Sequence, residues 1–143
     1  MPTMNRRRPQ TGAADRGAAA VEFALLLPVL LLIVFGIIDF GRALNAQITL
    51  TEAAREGARL ASVGDVTSVV VAQTQAAAPT LTGMTVIVVP CPAGAGLGTN
   101  AVVTASYPFS FITPIGAVAS LLGGHGLGNP ITLSAHVEMP CET

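Results

Sequence analysis

The sequence contains no lysine, and beyond Arg59 its only basic side chains are two histidines. A nucleic-acid surface needs clustered cations to neutralise phosphates, so a nucleic-acid partner is excluded from the reading. Charged residues make up 10% of the chain, against an ordinary figure of about 25%, while apolar residues make up 51%. Part of this chain is therefore built for a medium other than water. Cysteine occurs twice, at Cys91 and Cys141, and neither C-x-x-C nor H-x-x-H spacing is present, which leaves a metal site little support. Paired carboxylates sharing one pocket are lacking too. The glycine-rich run of residues 123–126 reads as a flexible loop rather than a phosphate cradle ahead of a helix. No enzyme activity and no cofactor is expected.

What is present begins with an asymmetry that the net charge of −1 conceals: Arg6, Arg7, Arg8 and Arg16, four of the seven arginines, precede a long apolar stretch. Residues 1–16 are polar, basic and rich in proline, glycine and threonine, a composition too poor in apolar surface to order itself, and they read as a leader. From residue 18 to 38 only Glu22 is ionisable. Those positions, at about 1.5 Å each, span roughly 31 Å, close to the hydrocarbon thickness of about 30 Å. Residues 25–38 are apolar around the whole circumference, whereas a soluble helix keeps a polar face. The segment reads as one helix across a lipid bilayer. Positively charged flanks stay cytoplasmic, which places the body of the chain on the far side of the membrane, outside the cytoplasm. A secretory signal peptide starts the same way, but its apolar core holds about 7 to 15 residues. Here residues 23–38 run longer, and Arg42 interrupts the nearest small-residue cleavage sites.

The helical pattern continues past the membrane edge without a proline as far as Gly64. Asp39 and Arg42, Glu52 and Arg55, and Glu56 and Arg59 stand three residues apart, as pairs that solubilise one face each. Gly64 suits a helix C′ position, and Asp65 an N-cap for a second helix over residues 66–78, closed by Pro79. The period then changes to two, with strands expected over residues 84–89, 101–107 and 131–138. Residues 92–100 form a loop, and residues 108–130 a longer excursion with a helical turn or two expected over 115–122. One face of the strands is expected to pack on the helix from about residue 43 onward. The fold class is α+β: a long N-terminal helix, a short helix and a small antiparallel sheet of about three strands. The expected divisions are a leader at 1–17, a span at 18–38, an extracytoplasmic helical region at 39–78 and a β domain at 79–143.

The most specific feature lies at the mouth of the span, where Gly17, Ala18, Ala19, Ala20, Val21, Glu22 and Phe23 follow Arg16. A carboxylate inside a membrane helix is costly and calls for a partner, and no cation lies within reach on the same helix inside the bilayer. A cut between Gly17 and Ala18 would create one, because the new α-amine, with a pKa of about 8, is mostly protonated at neutral pH. Ala18 and Glu22 would then be i and i+4. The amine could equally meet Glu22 of a neighbouring subunit and set a stagger between helices. The plainer account leaves Glu22 among the headgroups. Pro28 reads either as a kink or as a tolerated membrane proline, and Gly36 and Gly41, five apart, do not make the small-residue dimer motif.

At residues 17–23 the sequence resembles the prepilin-type signal, a glycine followed five residues later by Glu and an aromatic. More narrowly, residues 16–61 resemble the TadE-like family, through residues 16–24, then Leu27 and Pro28, then residues 35–42, then residues 53–59. The resemblance implies a minor pilin or pseudopilin of the Tad (Flp) pilus. Its processing site would be Gly17 and Ala18, and Glu22 beside Phe23 would be the charge partner of the mature terminus. The implied partners are a prepilin peptidase, other pilin subunits and the platform membrane proteins of the pilus. Ala18 in first place matches the Flp-type pattern rather than the Phe usual in other type IV pilins. Cleavage after residue 17 of 143 leaves 126 residues, too long for the short major Flp subunit. The rival reading is an uncleaved, signal-anchored envelope protein with an adhesin-like exported domain.

In an exported domain the even pair Cys91 and Cys141 reads as a disulfide. In a three-strand meander the ends of the outer strands lie about 9.6 Å apart. A bridge needs Cα atoms within about 7 Å, so either the chain curls after each strand or the first and third strands are neighbours. A zinc site adding His125 and His136 is the sharper alternative. His136 falls with Glu138 on the polar strand face and His125 in a glycine-rich tip, both expected to be solvated.

Overall fold

Helix α1 runs unbroken over Gly12–Ser62, 51 residues, which at about 1.5 Å each makes a rod of about 76 Å. The structure, a computed structural model, describes residues 12–94, 98–114, 117 and 130–142, without the side chains of residues 12–16. Pro28 lies inside α1 and the helix continues through it. Among the described residues α1 is the one helix long and apolar enough to cross a membrane. Its start corrects the expectation of an unordered leader up to Arg16, because residues 12–16 are already helical. Extending an existing helix adds one hydrogen bond per residue fixed, and Ala13 and Ala14 are strong helix formers, so the nucleated span draws the end of the leader into itself.

The C-terminus of α1 closes as the glycine suggested. Gly64 takes φ +88°, its N–H donates to Ala61 O at 3.3 Å, and the N–H of Asp65 donates to Leu60 O at 3.2 Å. This is a Schellman closure with Gly64 at C′. It also explains why Asp65 is not the cap of the next helix: it belongs to the end of α1. Helix α2, Thr67–Ala77, is preceded instead by Val66, which offers no side-chain cap.

Strands β1 (Thr85–Val89), β2 (Asn100–Phe109) and β3 (Ile131–Pro140) form an antiparallel meander in the order β1-β2-β3. The register pairs Ile87 with Thr104 and Thr104 with His136 on the outer face, and Val86 with Ala105 and Ala105 with Ala135 on the inner. Alternation works as read in β2, where Ala101, Val103 and Ala105 are buried. In β3 it frays at the end, since Ile131 is 42% exposed. The expected turn over residues 115–122 lies outside the described residues, Ala117 apart.

The core sits where the sheet meets the second half of α1. Leu50, Ala53, Ala54, Ala58 and Ala61 of α1 pack with Val70 and Thr74 of α2 and with Val103 and Phe109 of β2. Alanines on both surfaces let helix and sheet approach closely, and the apolar area so removed from water is what holds the domain. Among the described side chains Asp39 is the first buried along α1, and every one from residue 17 to 31 is exposed.

Candidate functional site

The head of the span carries Gly17, Ala18, Glu22 and Phe23 on an exposed stretch of α1. Among the described residues no ion pair involves Glu22. A Cβ added at Gly17 would meet nothing within 4 Å. Packing within this chain therefore does not require glycine there.

Twenty-two positions on, Asp39 does something the sequence did not disclose. Its side chain is buried, and each carboxylate oxygen accepts two hydrogen bonds. Oδ1 takes the N–H of Ile112 at 3.2 Å and Arg42 Nη1 at 3.3 Å. Oδ2 takes the N–H of Thr113 at 3.3 Å and the Thr113 hydroxyl. Arg42 Nη1 also reaches Ser110 O at 3.4 Å, and its guanidinium lies 5.2 Å over the Phe109 ring. Phe109 meets Phe111 edge to face at 5.6 Å. One acid and one arginine on adjacent turns of α1 thus clamp the chain that leaves β2. Desolvation pushes the Asp39 carboxyl up, but the donors, Thr113 hydroxyl first, outweigh it and hold the group below the ordinary aspartate value. It is a buried anion with a full complement of donors.

A second constraint lies at Gly57, where an added Cβ would overlap Thr74 Oγ1 and press on Val103. Thr74 is fully buried, and its hydroxyl donates to Val70 O at 2.7 Å. Glycine is needed there so that α2 can cross α1 at contact.

Residues 17–59 match the family model described as TadE-like protein. They form a TadE-like segment. No match was found among curated proteins or among solved structures. The TadE-like segment covers less than a third of the 143 residues, and it supports a role related to the Tad pilus. It begins at Gly17 and ends at Arg59, so it takes in the head, Gly57, and Asp39 and Arg42 of the clamp but not their partners Ile112 and Thr113.

Of the three charge pairs read from spacing, the TadE-like segment forms two. Glu56 and Arg59 pair at 2.8 Å on the surface, and Arg59, by donating hydrogen bonds, holds the Glu56 carboxyl below its ordinary value. Glu52 and Arg55 make no ion pair among the described residues, because exposed partners gain too little to give up their rotamer freedom. Asp39 and Arg42 do pair, yet the reading of them as a solubilising pair is corrected: this pair is a tertiary anchor. A signal was available in Asp39 as the first acid after the span, but its partners lie 73 and 74 residues away.

Far from the membrane edge, Cys91 and Cys141 are joined by a disulfide with Cα atoms 5.9 Å apart. Of the two routes left open, the meander order selects the curled one. The N–H of Cys141 donates to Thr99 O and that of Glu142 to Ser62 O, both at 3.0 Å, which draws the end of β3 over the start of β2 and against α1. Both sulfurs are consumed, so a zinc site built on them has no thiolate to use. His136 is exposed, 3.0 Å from Thr104 Oγ1 and 3.2 Å from Glu138. His125 lies outside the described residues.

Proposed function

We propose that the protein is a minor pilin or pseudopilin of the Tad (Flp) pilus that works by assembly rather than turnover. It is made as a precursor in the inner membrane, with residues 1–17 as a cytoplasmic leader and residues 18–38 as the span. Residues 39–78 form an extracytoplasmic helical region, the rest of α1 and then α2, and residues 79–143 complete the exported domain. A prepilin peptidase cuts between Gly17 and Ala18, and the new amine of Ala18 takes Glu22, its own or a neighbour's, as counter-charge. Other pilin subunits and the platform membrane proteins then receive the bare apolar half of α1.

The observation that carries this reading is the TadE-like match that starts at Gly17. Two features support it. Glycine at position 17 is not required by packing, and glycine inside a helix costs about 1 kcal/mol relative to alanine, so α1 is weakened at the bond a protease must unwind. Glu22 also lacks an ion-pair partner among the described residues, which fits a partner that exists only after the cut.

N-terminal sequencing of the membrane-extracted protein from cells with and without the peptidase tests the proposal. Ala18 is expected first when the enzyme is present, and Met1 when it is absent. Retention of Met1 in both would sink it in favour of an uncleaved anchor. Glu22→Ala is expected to leave membrane insertion intact and to impair pilus assembly, and unchanged piliation would remove the charge-pair step.

A further inference from the structure

On the flank of α1 beside the clamp, a groove opens between α1, the turn after α2 and the end of β2. Ile37 and Ile38 line it toward the span, Arg42 and Asn45 one turn further on, and Thr80 and Tyr107 from the facing elements. Gly41 lies between the two sets and contributes no side chain.

The groove's polarity runs along the axis of α1. Ile37 and Ile38 are 68% and 44% exposed and end the apolar span. Arg42 lies four residues past Ile38, about 6 Å along a helix. The headgroup layer on each side of a bilayer is about 5 to 7 Å deep, so with the span ending at Ile38 the guanidinium would stand at the level of lipid phosphates. Arg42 spends only Nη1 on its contacts with Asp39 and Ser110. Nε and Nη2, the edge that grips a phosphate side-on, have no partner among the described residues. The Phe109 ring fixes the guanidinium plane. The side chains of Asn45, Thr80 and Tyr107 likewise have no partner among the described residues. No carboxylate lines the groove, and Asp39 spends both oxygens on its four donors.

We propose that this groove seats one phospholipid of the leaflet that faces the domain. The phosphate lies on Nε and Nη2 of Arg42, the headgroup against Asn45, Thr80 and Tyr107, and the start of an acyl chain along Ile37 and Ile38. The proposal rests on the membrane-anchored reading and is independent of cleavage after Gly17. Its occupant follows from charge complementarity with Arg42 and from continuity of the groove with the lipid-facing span. Bound lipid would hold the domain at a set height on the bilayer, which the clamp alone does not do.

The test uses the full chain in non-ionic detergent, titrated with dihexanoyl phosphatidylglycerol or phosphatidylcholine, with dihexanoylglycerol and inorganic phosphate as separate arms. The Arg42 Nε–H resonance and native mass spectrometry report binding. Both phospholipids are expected to shift the resonance to saturation and to bind at one per chain. Dihexanoylglycerol and inorganic phosphate are expected to bind at least tenfold more weakly. Arg42→Lys is expected to weaken phospholipid binding about tenfold, because a lysine offers no two-donor edge. Gly41→Leu guards against a folding artefact: a Cβ there meets nothing within 4 Å, so the domain should fold as before while the side chain fills the groove. Wild-type lipid binding by Gly41→Leu would overturn the proposal. Equal binding of dihexanoylglycerol, or saturation by inorganic phosphate at the same concentration, would overturn it as well. A chain that retains its leader but binds lipid as described would leave this inference standing and remove only the processing step.

Discussion

The two halves of α1 belong to one continuous helix and obey different rules. Up to Ile38 no described side chain is buried, whereas Asp39, Ala46, Leu50, Ala53, Ala54, Ala58 and Ala61 beyond it are. The first half exposes apolar side chains around its whole circumference, with Glu22 as the one ionisable residue between positions 18 and 38. The second half is written for contact, and its specificity rests on size: alanine where the sheet approaches, glycine where α2 crosses, one acid where a loop must be held. A helix can change solvent without changing secondary structure, because its backbone bonds are satisfied internally in either medium.

The largest effect that should separate the halves is loss of the disulfide. Its cysteines are 50 positions apart, and freeing a loop of that length costs about 4 kcal/mol in the chain-entropy account. Reduction should melt the sheet in detergent, read by near-ultraviolet circular dichroism, while the helical signal of the span persists. A cooperative loss of both signals would show that the halves are not separate. Next comes Leu50→Ala, at a fully buried site, expected to cost about 3 kcal/mol in denaturant unfolding of the domain. Leu30→Ala, at a site 57% exposed, should change that stability by less than about 0.5 kcal/mol. Equal costs would erase the distinction.

A third contrast sets one glycine against another. Gly57→Ala should destabilise by about 2 kcal/mol through overpacking on Thr74, and a second change, Thr74→Ala, should recover part of it in a double-mutant cycle. Gly17→Ala should leave the domain's melting unchanged, with its effect confined to leader removal. The smallest effect concerns pH. The folded-state value of Asp39 lies below the ordinary 3.8, so its contribution is fully present above the unfolded-state value of about 3.9 and is lost as pH falls through the lowered one. The carboxyls of Glu56 and Glu138 are lowered too, the latter first by the hydrogen bond from His136. The share due to Asp39 is therefore the part of the acid-side loss that disappears in Asp39→Asn. An identical acid limb in that variant would show that the clamp does not titrate in this range.

Much of this architecture could be read from consecutive residues. The long apolar helix, the Gly64 closure and the three strands all rest on patterns that repeat within a few positions, and the closure and the strands appear within a residue or two of their expected bounds. The errors have local causes. The helix begins at Gly12 rather than after Arg16, because propagation outruns composition, and Asp65 closes one helix instead of opening the next. The site was read at the head from the spacing of Gly17, Glu22 and Phe23, which lie on an exposed stretch of α1. It was illegible at Asp39, whose partners Ile112 and Thr113 arrive from the end of another element, and at Gly57, whose need for glycine is visible only once Thr74 faces it.

Order along the chain was enough to specify one helix of membrane-spanning length and the alternation of a small sheet, since helix period and strand period are short-range quantities. Folding in three dimensions was needed to choose between the two routes to the Cys91–Cys141 bridge, to turn Asp39 from a solubilising charge into a buried anchor, and to set Arg42 over the Phe109 ring. Each of those depends on which distant groups meet, and that is set by how the core closes around α1 rather than by any run of neighbouring residues.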